Sequence, residues 1–165
     1  MENILFVCTG NTCRSPMAEA FLKAALNADK RLSEKYTVSS AGISVYPGDA
    51  ASRNSLEVMK SEWNIDISEH IASPITEQAV DRAFLILTMT LQQKEALISM
   101  FPASARKVRT LKEYVNDSPS PSGYSRYDHA LDITDPYGMP AHVYSLCAHE
   151  INAAVIKFLK KLEEL

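Results

Sequence analysis

The residues best suited to chemistry lie in one short stretch, VCTGNTCRSPM, at positions 7–17. Cys8 follows an apolar run, Arg14 comes six positions later, and Gly10 and Asn11 lie between them. A thiol beside a guanidinium and a row of backbone N–H groups can bind a tetrahedral oxyanion and attack it. The stretch therefore predicts a phosphate-binding loop with Cys8 as its nucleophile.

The composition of this loop supports the same interpretation. Gly10 tolerates backbone angles that a Cβ would forbid, and Asn11 is among the few other residues that visit them readily. Arg14 has a planar fork that can hold two oxygens, and the loop N–H groups would also stabilise a thiolate. Ser15 could donate to Cys8, although a serine before proline is also a good helix cap. The alternative for Cys8 is a merely buried strand cysteine.

The loop must be positioned by a strand before it and a helix after it. Apolar runs predict four strands, at residues 3–9, 36–43, 83–90 and 105–111. Apolar residues at helical spacing predict four helices: after Pro16, at 51–63, at 91–101, and from about His142 to the end. Alternation of this kind predicts an α/β fold, a four-stranded parallel sheet with helices on both faces, within a single domain spanning residues 1–165. Such sheets bind ligands at the carboxyl ends of their strands, where the loop lies.

Composition excludes several other functions. The net charge of −3 and pI near 5.8 argue against a nucleic-acid or membrane-surface protein. No apolar run is long enough to span a bilayer, and we find no signal-peptide pattern. The three cysteines, Cys8, Cys13 and Cys147, are too few for a disulfide framework and fit a reducing compartment. We expect a cytoplasmic monomer.

A proton donor is the second requirement of phosphoryl transfer. One carboxylic acid can protonate the leaving group and later activate water. The irregular segment 116–140 contains Asp128, Asp132 and Asp135, and only Asp135 precedes a proline, in DPYG. A rigid turn can hold a side chain over a pocket, but Asp-Pro is also a common turn opener. From the residues alone, either role is open for Asp135, and the other two aspartates are expected to solvate the loop.

Several motifs of the chain resemble those of a known protein family. The stretch FVCTGNTCRSPMAEA resembles the low-molecular-weight protein tyrosine phosphatases, whose signature is C-x5-R-S after the first strand, and the likeness continues at SSAG, at EH near residue 70 and at DPYG. Within that family the chain is most similar to the bacterial protein-arginine phosphatases, because of Thr12 and the stretches ILTMT and TLKEYV. The segment 116–134 looks longer than is usual in that subgroup.

The resemblance implies hydrolysis of phosphoarginine in proteins through a cysteinyl-phosphate intermediate, without a metal or other cofactor. It gives catalytic roles to Cys8, Arg14 and Asp135. It places substrate and phosphate contacts on seven further residues: Thr9, Gly10, Asn11, Thr12, Cys13, Ser15 and Tyr137. The Thr12 hydroxyl would lie near the N–P bond.

The resemblance also implies supporting roles. Ser40 and His70 would hold Asn11 in place, and Cys13 could form a reversible disulfide with the nucleophile. Tyr137 would form an aromatic wall of the pocket, and the glycine after it leaves a thinner wall that suits a flexible guanidinium. Cys147, on the apolar face of the last predicted helix, is expected to serve core packing.

Three other functions are weighed against this one. The same chemistry on phosphotyrosine is the nearest alternative. Arsenate reductases share the loop but need further cysteines to relay a disulfide, and the chain has none between Cys13 and Cys147. A non-enzymatic oxyanion-binding module would not need a nucleophile, an arginine and an acid together.

Overall fold

The computed structural model describes residues 1–118 and 129–165. These residues form one four-stranded parallel sheet with helices on both of its faces, which confirms the predicted fold class. The strands are β1 (Glu2–Cys8), β2 (Tyr36–Gly42), β3 (Ala83–Thr88) and β4 (Val108–Thr110). The helices are α1 (Arg14–Ala28), α2 (Lys30–Lys35), α3 (Arg53–Trp63), α4 (Glu77–Arg82), α5 (Leu91–Met100), α6 (Leu111–Val115) and α7 (Ala141–Glu164), with a 3₁₀ helix at Pro102–Arg106.

The central strand is the one that leads into the loop. The spatial order is β2-β1-β3-β4, so β1 pairs with β2 on one side and with β3 on the other. Because the chain leaves β1 toward β2 and leaves β3 toward β4, on opposite sides, a crevice opens between the carboxyl ends of β1 and β3. Cys8 is paired with Gly42 at that edge. The sheet therefore places Cys8 at the point where this fold binds ligands.

Alternate residues of β1 face two separate cores. Ile4 and Phe6 join the core that contains α1 and α7, whereas Leu5 and Val7 join the core that contains Leu97 of α5. A strand covered on both faces has to be apolar throughout, which is why its sequence reads as a continuous apolar run. No helix in the described ranges is both long and apolar enough to cross a membrane.

All four strands end one or two residues earlier than the sequence pattern predicts, and the last two are followed directly by helix caps. The fourth was expected to run through Leu111, but Thr110 caps α6: its Oγ1 accepts from the Glu113 N–H at 3.0 Å, and the Glu113 carboxylate accepts from the Thr110 N–H at 2.7 Å. Thr90 forms the same capping box with Gln93 and begins α5. These reciprocal hydrogen bonds satisfy donors that a strand would have paired elsewhere.

The segment predicted as a long loop, 116–134, is described only at its two ends. Asp128 lies outside the described residues, so its predicted role in solvating the loop stays a prediction. Asp132, at the described end, accepts a hydrogen bond from the backbone N–H of Leu91 at 2.9 Å. It therefore ties the returning segment to the start of α5 and does more than solvate the loop.

Candidate active site

The loop between β1 and α1 folds back over the sulfur of Cys8. Asn11 takes the left-handed conformation, with φ of 55°, and its backbone N–H lies 3.3 Å from Cys8 Sγ. Gly10, the other residue of the loop that tolerates such angles, does not use them: its φ is not positive, and a Cβ there would meet only Thr12 Oγ1, at an ordinary 3.7 Å. The turn that curls the loop is therefore made by Asn11, a residue that tolerates this region through its short polar side chain.

The Cys8 thiol is buried, at 3% exposure, and the Asn11 N–H and the Ser15 hydroxyl lie within hydrogen-bond distance of its sulfur. Ser15 Oγ lies 2.9 Å from Cys8 Sγ and also accepts a hydrogen bond from Asn11 Nδ2 at 2.8 Å. Since that hydrogen bond supplies a proton to Ser15 Oγ, the serine's own proton can point at the sulfur. Ser15 is not the helix cap that its place before proline suggested: the N-cap is Cys13, which makes no capping hydrogen bond.

The side chain of Asn11 holds the loop to the neighbouring segments. Its Nδ2 donates to Ser40 Oγ at 3.0 Å, and its Oδ1 accepts from the Ser73 N–H at 2.9 Å. His70 Nε2 lies 2.7 Å from the Asn11 carbonyl oxygen, and Ser40 in turn donates to Glu19. The structure thus brings the two predicted supporting residues to Asn11. These contacts offset the cost of the left-handed backbone.

Arg14 and Asp135 come together across 121 positions of sequence. Arg14 Nη2 lies 3.5 Å from Asp135 Oδ2, and Nη1 donates to the carbonyl of Ile133 at 2.9 Å. The Asp135 side chain is 54% exposed, and its Oδ1 accepts from the Tyr137 N–H at 3.1 Å. The DPYG turn therefore holds the carboxylate beside the buried guanidinium while leaving it open to a ligand and to water.

These residues surround one cavity of about 280 Å³. Its walls include most of the predicted site residues, namely Cys8, Thr9, Gly10, Thr12, Cys13, Arg14, Asp135 and Tyr137, together with Ser44, Tyr46 and Asp49. Asn11 and Ser15 lie behind the loop and are fully buried. The cavity combines a thiol, a guanidinium and a carboxylate, which is the set of groups needed for covalent phosphoryl transfer.

The other two cysteines occupy different surroundings. Cys13 Sγ lies 3.4 Å from Ser52 Oγ and 3.5 Å from the hydroxyl of Tyr144. Cys147 is buried on α7, and burial raises the pKa of its thiol to about 12. A thiol of this kind stays protonated and is a poor nucleophile, so the disulfide relay of an arsenate reductase has no third participant here. All three cysteines are free.

Several residues of the site carried no clear sequence signal. Gln93 Nε2 donates to Thr9 Oγ1 at 3.1 Å, while its Oε1 accepts from the backbone of the β3–α5 turn. The spacing of Thr90 and Gln93 is a capping-box pattern and could have revealed the second contact but not the first. Tyr46 and Asp49 line the cavity from a loop without regular periodicity.

Gly42 lies where there is no room for a side chain, which its neighbours in sequence do not indicate. A Cβ built at this position would lie 2.5 Å from Val45 Cγ2 and 2.7 Å from the carbonyl oxygen of Thr9. We expect Gly42→Ala to lower the free energy of unfolding by about 1–3 kcal/mol, the usual cost of overpacking. Urea denaturation measures this value. Gly10→Ala is the matched control, since its Cβ would make only an ordinary contact of 3.7 Å with Thr12 Oγ1, and equal unfolding free energies for the two variants would contradict the prediction.

The fold and the loop together define a class of protein, the α/β phosphatases that bind phosphate after the first strand. The family model described as low molecular weight phosphotyrosine protein phosphatase matches residues 3–165. The chain belongs to this family, which confirms the resemblance drawn from the sequence.

Relatives in the family carry two kinds of name. A protein-arginine-phosphatase of Bacillus subtilis is 36% identical over 162 residues, covering 98% of this chain and 97% of the relative. The low molecular weight protein-tyrosine-phosphatase PtpB of Staphylococcus epidermidis is 34% identical over 160 residues, covering 97% of this chain and 99% of the relative. The solved YwlE arginine phosphatase of Geobacillus stearothermophilus superimposes with a TM-score of 0.84 at 34% identity, covering 99% of this chain and 94% of that one. The chain is therefore similar to enzymes of both kinds.

Proposed function

We propose that this protein hydrolyses phosphoarginine in proteins through a cysteinyl-phosphate intermediate. The observation that carries the proposal is the composition of one cavity, in which Thr12 and the carboxylate of Asp135 share the walls with Cys8 and Arg14. We also propose that the protein acts in the cytoplasm, since its three thiols are free and fit a reducing compartment.

The first step transfers the phosphoryl group to the enzyme. The Cys8 sulfur attacks phosphorus in line with the leaving group, so an S–P bond forms as the P–N bond of phosphoarginine breaks. Arg14 and the loop N–H groups stabilise the equatorial oxygens as their charge shifts. Asp135 gives its proton to the departing nitrogen, and arginine leaves as a guanidinium.

The second step returns the enzyme to its starting state. Asp135, now a carboxylate, takes a proton from a water molecule whose oxygen attacks phosphorus. The O–P bond forms, the S–P bond breaks, and inorganic phosphate is released. Ser15 lies 2.9 Å from Cys8 Sγ, so its hydroxyl can donate to the thiolate as it leaves.

Support for the covalent intermediate comes from a structural relative. A solved YwlE arginine phosphatase, a cysteine-to-serine mutant with a phosphorylated active-site serine, is 35% identical to this chain and superimposes with a TM-score of 0.84, covering 98% of this chain and 95% of that one. Phosphorylation of the residue at that position in the relative supports Cys8 as the group that carries phosphate here.

Phosphotyrosine is the second candidate substrate. Tyr46 and Tyr137 line the cavity and are 80% and 74% exposed, so two aromatic rings could pack against a phenyl ring. The paired comparison of kcat/KM on a phosphoarginine peptide and a phosphotyrosine peptide of matched sequence decides between the two. We expect phosphoarginine to be preferred, and a preference for phosphotyrosine of an order of magnitude or more would overturn the proposal.

Thr12 provides the specificity test. We expect Thr12→Ile to shift the ratio of kcat/KM values toward phosphotyrosine by about tenfold or more, because the variant loses a hydroxyl near the N–P bond and adds bulk to the pocket. Thr12→Ser keeps the hydroxyl and is expected to keep the wild-type preference. The same two peptides measure both variants, and an unchanged ratio in Thr12→Ile would remove Thr12 from substrate selection.

A further inference from the structure

One wall of the cavity is formed by residues 43–52, here called the wall loop. Its backbone is hydrogen-bonded to the phosphate-binding loop at three points. The N–H groups of Ile43 and Ser44 donate to the carbonyls of Cys8 and Thr9 at 3.0 and 2.9 Å. The N–H of Ser52 donates to the carbonyl of Thr12 at 2.8 Å. The wall loop is therefore held in a fixed position relative to the phosphate-binding loop.

Asp49 lies within this loop and its backbone is held at both ends. Its N–H donates to the Tyr46 carbonyl at 3.2 Å, and its own carbonyl accepts from the Ala72 N–H at 2.7 Å. The side chain is exposed and lines the same cavity as Cys8. Within residues 1–118 and 129–165, the Asp49 carboxylate has no hydrogen-bond donor and no ion-pair partner. It is a charged group on the wall of a ligand space and is not used by the fold.

A carboxylate on the wall of a phosphate site has an electrostatic cost. It repels a doubly charged phosphoryl group and so weakens binding of a substrate that carries only negative charge. Among the described residues that line the cavity, Arg14 is the one cation, and Asp135 already lies against it at 3.5 Å. Asp49 thus lowers the affinity for a simple phosphate ester and can raise it only for a substrate that brings positive charge.

We propose that Asp49 is a specificity-determining residue that binds a guanidinium carried by the substrate. A carboxylate and a guanidinium form paired, charge-assisted hydrogen bonds, and Tyr46 and Tyr137 offer ring faces on which a guanidinium can stack. The choice of phosphoarginine as the source of this guanidinium rests on the proposed function. An arginine next to the phosphorylated residue would present the same chemistry.

Three phosphopeptides distinguish these sources. The first carries phosphoarginine with neutral neighbours, the second phosphotyrosine beside an arginine, and the third phosphotyrosine with neutral neighbours. The variant is Asp49→Asn, which keeps the shape of the side chain and removes its charge. The matched control is Asp81→Asn, on the exposed end of α4 and away from the cavity. Thermal unfolding verifies that each variant is folded.

We expect Asp49→Asn to lower kcat/KM about tenfold on a guanidinium-bearing peptide, the loss expected for one charge-assisted hydrogen bond. On the neutral phosphotyrosine peptide kcat/KM should not fall, because a repelling charge has been removed. A loss on the first peptide assigns the guanidinium to the phosphorylated residue, and a loss on the second assigns it to a neighbour. Asp81→Asn should change none of the three.

The proposal is overturned if Asp49→Asn lowers kcat/KM equally on all three peptides, which would indicate a structural role, or on none of them. The proposed function is tested separately by the same data. If the wild-type protein does not hydrolyse the phosphoarginine peptide, that function fails, and the two phosphotyrosine peptides still test whether Asp49 binds a guanidinium.

Discussion

Cys8→Ser is expected to abolish turnover of every phosphorylated substrate, with a loss of about 10,000-fold or more in kcat, while inorganic phosphate still binds. The hydroxyl is a far weaker nucleophile than the thiol, but the N–H group of Asn11 and the guanidinium of Arg14 are untouched by the change. Steady-state assays on both phosphopeptides measure the loss, and calorimetric titration with phosphate measures the binding. Intact-protein mass spectrometry after acid quench should show a phosphoryl adduct on the wild-type protein.

Cys147→Ala is the matched control for a removed thiol. Cys147 packs in the core beneath the site, with its Sγ 3.6 Å from the Thr134 carbonyl, so this variant is expected to lose some stability and keep its activity. Two results would contradict the assignment of Cys8. One is measurable turnover by Cys8→Ser, and the other is a phosphoryl adduct located on another residue.

Asp135→Asn is expected to lower kcat/KM by about 100- to 10,000-fold on substrates with poor leaving groups, the range typical of a lost general acid. An amide cannot give a proton to the departing nitrogen or oxygen. On an activated aryl phosphate, whose leaving group needs little protonation, the loss in kcat/KM should be much smaller. Hydrolysis of the cysteinyl phosphate should then limit kcat, so rapid-quench experiments should show a burst of the first product.

The contact between Asp135 and Arg14 calls for a control, because the carboxylate could act only by orienting the guanidinium. In that case Asp135→Asn would weaken phosphate binding and reduce kcat/KM equally for good and poor leaving groups. A proton-transfer role predicts undiminished phosphate binding and a loss that grows with the basicity of the leaving group. The pattern across a series of aryl phosphates separates these two roles.

The parts of the fold that sequence could predict are those with long-range regularity. The run through β1 is continuous because both faces of that strand are buried, and α7 shows a regular apolar stripe because one face packs on α1. The short helices α2, α4 and α6 have five or six residues each, too few for a periodic pattern to emerge. Their starts are set by local capping, as Thr110 shows.

The residues of the site likewise differ in how far the sequence could predict them. Cys8 and Arg14 could be predicted because they are close in sequence, and Asp135 because a family pattern marks it. Which of Gly10 and Asn11 takes the left-handed conformation could not be predicted, because both tolerate that region and only the contacts of the Asn11 side chain decide between them. Asp49 could not be predicted as a site residue, because its place on the cavity wall depends on hydrogen bonds between the wall loop and segments that are distant in sequence.

The three backbone hydrogen bonds between residues 43–52 and the phosphate-binding loop have a consequence for how this protein can diversify. They join main-chain atoms only, so they survive a change of side chain at positions such as Ser44, Tyr46 or Asp49. The phosphate-binding loop is preorganised, so little of the free energy of binding an anion is lost to ordering the loop. Selectivity can therefore be retuned on one stretch of chain while the reactive machinery on the other stays intact.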